Sequence, residues 1–76
     1  MKIIGYALCL NNDDYTVSLE VRKIYPILAP HDNDPNGYVR IIDESGEDYL
    51  YAENRFSPIK LSPKIRKQVE ENLFAV

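Results

Sequence analysis

Tyr38–Phe56 reads YVRIIDESGEDYLYAENRF, a run of β-branched and aromatic residues broken once, at Glu44-Ser45-Gly46, and closing on a short turn before Phe56. Val39, Ile41 and Ile42 precede the break, and Tyr49, Leu50 and Tyr51 follow it. These side chains suit a pleated strand, and Gly46 can take the positive φ that ends a three-residue hairpin loop. That loop sets Asp43 opposite Glu47, Ile41 opposite Tyr49 and Val39 opposite Tyr51, so Val39, Ile41, Tyr49 and Tyr51 share one face. A two-residue Ser45-Gly46 loop would pair Ile41 with Leu50 and Arg40 with Tyr51, turning the later residues over. The three-residue register is preferred because it collects the larger continuous apolar face. Either register opposes two carboxylates at the tip, at a cost of about 0.2–1 kcal/mol. These acids are expected to be solvated, blunting the hairpin against aggregation, or to meet a basic partner.

The remainder of the chain is short. Its 76 residues make one domain burying only about 60% of the unfolded surface, so nearly every large apolar residue is needed for the core and few remain to build a deep pocket. Cys9, the single cysteine, excludes an internal disulfide and fits a reducing, cytoplasmic setting. It lies in the apolar run Tyr6–Leu10 without a neighbouring cation, and so reads as a small buried hydrophobe. A net charge of −3 opposes general affinity for nucleic acid or anionic membrane, and no apolar run reaches membrane-spanning length.

Ile3–Leu10 reads as the first strand, ended by Asn11-Asn12-Asp13-Asp14. Val17, Leu19 and Val21 alternate with polar residues like a half-buried strand. Lys23–Leu28 is another strand, whose Pro26 marks a sheet edge or a bulge. Ala29–Gly37 is a loop, Ala52–Arg55 a single helical or 3₁₀ turn, and Phe56–Leu61 a short last strand. From Ser62, a capping residue followed by Pro63, a helix is predicted to about Phe74. Its narrow stripe is Ile65, Val69, Leu73 and Val76. A helix so short must dock on the strands or on a second chain, where it would form a homodimer.

From Ala7 to Leu61 the order of elements resembles an SH3-like barrel. Thr16–Leu28, TVSLEVRKIYPIL, is similar to the strand, diverging turn and strand of that family, with Val17, Leu19, Ile24 and Ile27 at core positions. Tyr38-Val39-Arg40 stands where the family has its Trp-Trp pair, and Ala52–Phe56 matches the turn before the last strand. The resemblance implies a mainly β fold, a small SH3-like barrel of about five strands over residues 1–61 with a C-terminal helix over 62–76. The chain is also similar to a group of short bacterial proteins with a DESGEDYLY-like hairpin after a LExxKIY-like segment, matched here by Asp43–Tyr51 and Leu19–Tyr25. That likeness implies the fold and transfers no functional residue.

SH3 domains hold proline-rich peptides between flat aromatic side chains. This chain has Tyr38 for the groove tryptophan but Ala52 for the groove proline and Arg55 for a groove tyrosine, so ordinary PxxP ligands are not expected. The SH3-like arrangement would instead ring Tyr38 with Asp13, Asp14 and Tyr15 of the first loop and Asp32 and Asp34 of the second. Such a face favours a basic or flexible segment of another protein. The alternative is nucleic-acid or ribosome association through Lys60, Lys64, Arg66 and Lys67. No cofactor and no enzymatic activity are expected, since His31 has no recognisable nucleophile beside it. Asp32–Gly37 opens like an EF-hand loop, but a strand over Tyr38–Asp43 carries Asp43 about 20 Å from Gly37, and Arg40 would occupy a ligand position. Calcium is therefore not expected either.

Overall fold

The computed structural model of the chain describes residues 2–74. Five strands, β1 (Ile3–Cys9), β2 (Ile24–Leu28), β3 (Tyr38–Ile42), β4 (Asp48–Ala52) and β5 (Phe56–Ile59), precede helix α1 (Pro63–Phe74), and a 3₁₀ turn, Glu53–Arg55, links β4 to β5. All neighbours are antiparallel, in the order β4-β3-β2-β1-β5. The architecture is mainly β, as expected. Among the described residues no pairing joins β4 to β5, and the strands form one open sheet rather than a closed barrel.

The hairpin has the three-residue register: Ile41 pairs with Tyr49 and Val39 with Tyr51. Gly46 sits at φ 82° and donates its N–H to the Asp43 carbonyl at 3.0 Å, the left-handed closing position that glycine takes without strain. One row of cross-strand partners then builds the core. Cys9 lies across from Phe56, Ala7 from Tyr25, Ile27 from Ile41 and Val39 from Tyr51, so a single face of four adjoining strand pairs presents the apolar cluster that Leu19 completes. Tyr49 belongs to that face by register, yet it lies beyond the cluster and is half exposed.

Thr16–Arg22 is not a strand, contrary to its alternating pattern. The N–H groups of Ser18 and Leu19 both turn back to the Tyr15 carbonyl, and that of Glu20 donates to the Tyr25 hydroxyl at 2.7 Å. The segment thus satisfies its backbone through turns and one side chain instead of a ladder. Only Leu19 of the three alternating residues is buried; Val17 is 90% exposed, which removes it from the core position suggested by the SH3 resemblance. Pro26 lies in the middle strand of the sheet rather than at an outer edge. The ladder from β2 to β3 consists of Ile27–Ile41 and Leu28–Arg40, so the proline stands just outside it, where its missing N–H breaks no rung.

Helix α1 begins at Pro63, with the Ser62 hydroxyl accepting from the Ile65 amide at 3.3 Å as an N-cap does. It meets β1 through polar groups. Tyr6, buried on the sheet face opposite Ala7, donates its hydroxyl to Glu70 at 3.0 Å. The Arg66 guanidinium bonds Glu70 at 3.1 Å, reaches the Ile3 carbonyl at 3.4 Å and lies 5.7 Å from the Tyr6 ring centre. Ile65 of the apolar stripe is exposed; Val76 and the side chain of Leu73 lie outside the described residues.

The hairpin tip departs furthest from expectation. Asp43 is buried, not solvated, and accepts from the Ser45 amide at 2.9 Å, from the Ser45 hydroxyl and from the Tyr51 hydroxyl at 2.6 Å. Replacing Tyr51 with Phe removes one of these donors while the carboxylate stays buried. The variant is expected to lose about 1–3 kcal/mol of stability, read from urea unfolding with an unchanged slope.

Candidate functional site

The first acidic loop is built by short-range bonds. The Asn11 side-chain oxygen accepts from the Asp13 amide at 2.8 Å, Tyr15 N–H closes on the Asn12 carbonyl at 2.8 Å, and Asp14 sits at φ 71°, a left-handed value that aspartate tolerates better than most residues. The loop is tied to the 3₁₀ turn because the Arg55 carbonyl accepts from both Leu10 and Asn11. This brings the Arg55 side chain across the loop. Its guanidinium donates to the Asn11 side chain at 3.2 Å and to the Asp13 carbonyl at 2.9 Å, and lies 4.8 Å from the centre of the Tyr15 ring. Tyr15 in turn meets Tyr51 edge-on, with ring centres 5.0 Å apart. Asp13, Asp14 and Tyr15 are all exposed, so an arginine of the chain itself already rests on this face.

The second loop is organised differently. Asp34 is held in a bidentate pair by Arg40, at 2.7 and 3.1 Å, and Arg40 also bonds Asp48 at 2.8 Å. The Arg40 and Asp34 side chains are only 14% and 9% exposed, so this acid is engaged within the fold. Asp34 also caps the loop by accepting from the His31 amide at 2.9 Å. Asp32 stays exposed in a turn. Among the described residues no hydrogen bond or ion pair joins the two loops.

Tyr38 is half exposed at the edge of an apolar groove of about 240 Å³, over Ala7, Phe56, Ile27 and Val39, with Glu53 also in its wall. Tyr15 does not line that groove; it belongs to a separate cleft beside Tyr49 and Tyr51. The six candidates therefore separate into an exposed group at Asp13, Asp14 and Tyr15, an internally paired Asp34, an exposed Asp32 and a groove residue, Tyr38. Of the basic alternative, Lys60, Lys64 and Lys67 are exposed, whereas Arg66 is engaged by Glu70 and β1. Cys9 is fully buried, and burial pushes its thiol up. No helix among the described residues is long and apolar enough to cross a membrane.

Two features escaped the sequence reading. Arg40 and Asp48 are diagonal neighbours across the hairpin, Asp48 lying two residues from Leu50, the direct partner of Arg40, a relation that the chosen register already contained. The Lys23 and Tyr25 side chains, by contrast, both reach Glu44 from the start of β2 and the residue before it, the Lys23 ammonium at 2.7 Å. Nothing local announces that contact. No protein-family model, curated protein or solved structure matches the chain.

These pairs set a pH window at each end. The bond from Arg40, and then the His31 amide, hold the Asp34 carboxyl at about 2 instead of 3.8. Its contribution to stability is complete above the higher value and lost as pH falls toward the lower. The urea midpoint should drop between those values in the wild type and respond less in Asp34→Asn. At the alkaline end, burial first and the Asp43 bond second push the Tyr51 hydroxyl up to about 12 from 10.0. Burial, followed by the Glu44 bond, moves Tyr25 in the same direction. Here stability is complete below the ordinary value and lost as pH rises through the folded one. Tyrosinate absorbance should therefore show a late step coinciding with loss of far-ultraviolet circular dichroism.

Proposed function

We propose that the chain is a non-enzymatic interaction module with an SH3-like arrangement of strands, binding a basic or flexible segment of another protein through the face formed by Asp13, Asp14 and Tyr15. The SH3-like reading is supported by the five antiparallel strands and by the 3₁₀ turn before the last of them. The binding reading is carried by Arg55. Its guanidinium finds a ring face at 4.8 Å and two oxygen acceptors on the first loop, which are the contacts a partner's arginine would need.

The exposed carboxylates of Asp13 and Asp14 add attraction without desolvation, favouring fast, salt-sensitive association. Tyr38 and its shallow groove offer a second, separate apolar surface for a flanking part of such a segment. A cytoplasmic setting, where Cys9 stays reduced, is part of the proposal. Nucleic-acid association through the tail is the weaker reading, because Arg66 is drawn into the contact between α1 and β1.

A glycine-spaced peptide carrying several arginines, titrated into labelled protein, tests the module. Saturable amide shifts over residues 11–15 are expected, with affinity falling several-fold in Asp13→Asn/Asp14→Asn and as salt is raised. Equal binding of a glutamine-for-arginine peptide would refute the reading.

A further inference from the structure

The cleft beside Tyr15 has a volume of about 430 Å³ and is walled by Tyr15, Tyr49 and Tyr51 with Ser18, Ser45 and Asp43 between them. That size falls within the roughly 300–1,000 Å³ typical of ligand sites. Its chemistry has one sign. Three phenol rings, two hydroxyl side chains, one carboxylate and Leu50 line it, and no Lys, Arg or His does.

The tyrosine hydroxyls strengthen the bias. Tyr51 donates to Asp43 at 2.6 Å and Tyr49 to Glu47 at 3.1 Å, so each phenol gives its proton toward an anion and presents an electron-rich ring. Two of the rings are also spared from the core, Tyr15 being 41% and Tyr49 50% exposed. A neutral apolar ligand would meet the wall's hydroxyl oxygens without supplying donors, and an anion would meet the negative charge of Asp43. An arginine side chain satisfies both requirements, since its stem packs on rings while its planar guanidinium stacks and donates.

We propose that this cleft receives an arginine side chain of the partner segment, seated between Tyr15 and Tyr49. The inference rests on the reading of the chain as a binder of basic segments and gives it a second contact beyond the exposed loop. Arg55 supplies the precedent within the molecule, a guanidinium already resting on Tyr15.

The probe is N-acetyl-arginine amide, with the N-acetyl-citrulline amide as its uncharged isostere, followed by amide chemical shifts in the full chain. The expected result is saturable shifts at Ser18, Ser45 and Leu50 with the arginine probe and none with citrulline. Tyr49→Leu should weaken the arginine probe at least about fivefold, Tyr49→Phe should retain most of the affinity, and Ile65→Ala, on the exposed face of α1, should leave it unchanged. The half-exposed Tyr49 is outside the core cluster, so loss of binding in Tyr49→Leu with an unchanged melting temperature reports the ring itself. Equal binding of citrulline, or an unaffected Tyr49→Leu, overturns the cleft. Shifts confined to residues 11–15 overturn the cleft and leave the module reading standing, whereas no response to any arginine probe or peptide overturns both.

Discussion

Tyrosine hydroxyls donating to carboxylates hold this fold in its arrangement. A chain of 76 residues has few large apolar groups, and two of the rings in its core cluster are tyrosines, Tyr25 and Tyr51. A buried phenol is tolerated only when its hydroxyl finds a partner. Tyr51 finds Asp43, and Tyr25 accepts from Glu20 N–H while donating to Glu44. Hydrogen bonds to charged groups contribute about 1.5–3 kcal/mol each, a large share for a small domain. They also dictate geometry, because Asp43 and Glu44 begin the hairpin loop. The tip is thereby drawn onto the turns at residues 16–23, where Glu44 N–H also meets the Ser18 carbonyl. Tyr6 repeats the device on the opposite face, where its bond to Glu70 places α1 across β1.

The same bonds alter how the acidic character of the chain should be understood. Of its 12 acids, Asp34 and Asp48 hold Arg40, Asp43 and Glu44 cap buried tyrosines, and Glu70 joins Tyr6 to Arg66. At Glu44, burial pushes the carboxyl up, but the bonds from Lys23 and Tyr25 outweigh it and keep the group below its ordinary range. These anions are structural acceptors, largely satisfied from within. The other seven acids are exposed, and of these Asp13 and Asp14 stand together beside an exposed ring. The first loop is thus the place where two exposed acids are adjacent, while the others are spread along the sequence.

What was legible in the sequence was local. The hairpin register followed from Gly46 and from the face that Val39, Ile41 and Tyr51 complete, and the 3₁₀ turn and the Ser62-Pro63 helix start depend on residues within a few positions of one another. Thr16–Arg22 misled because Val17, Leu19 and Val21 carry a strand's period while only Leu19 has a core to enter. Arg22 takes φ 69° and sends its N–H to the Cys9 carbonyl, a contact set by the end of β1 rather than by its own segment. The tyrosine–carboxylate bonds join residues separated by 19 positions in Tyr25–Glu44 and by 64 in Tyr6–Glu70. No periodicity encodes such partners, since many acids compete for each hydroxyl until the topology selects one. At the candidate site the loop acids and Tyr15 were legible as a group, whereas their separation from Tyr38, and Arg40's claim on Asp34, emerged only from three-dimensional placement.

Size finally constrains the kind of recognition open to the molecule. A core this small cannot be hollowed into a deep chamber without losing the contacts that sustain it. Its concavities are accordingly shallow, among them the groove over the sheet face under Tyr38 and the cleft beside Tyr15. At the second of these places one ring serves two purposes, packing its edge on Tyr51 while presenting a face to the Arg55 guanidinium. Because Arg55 is fixed through its own carbonyl to Leu10 and Asn11, it braces the loop whether or not its side chain is displaced. A competing guanidinium would thus meet a face already shaped by the fold, with little backbone ordering left to oppose binding.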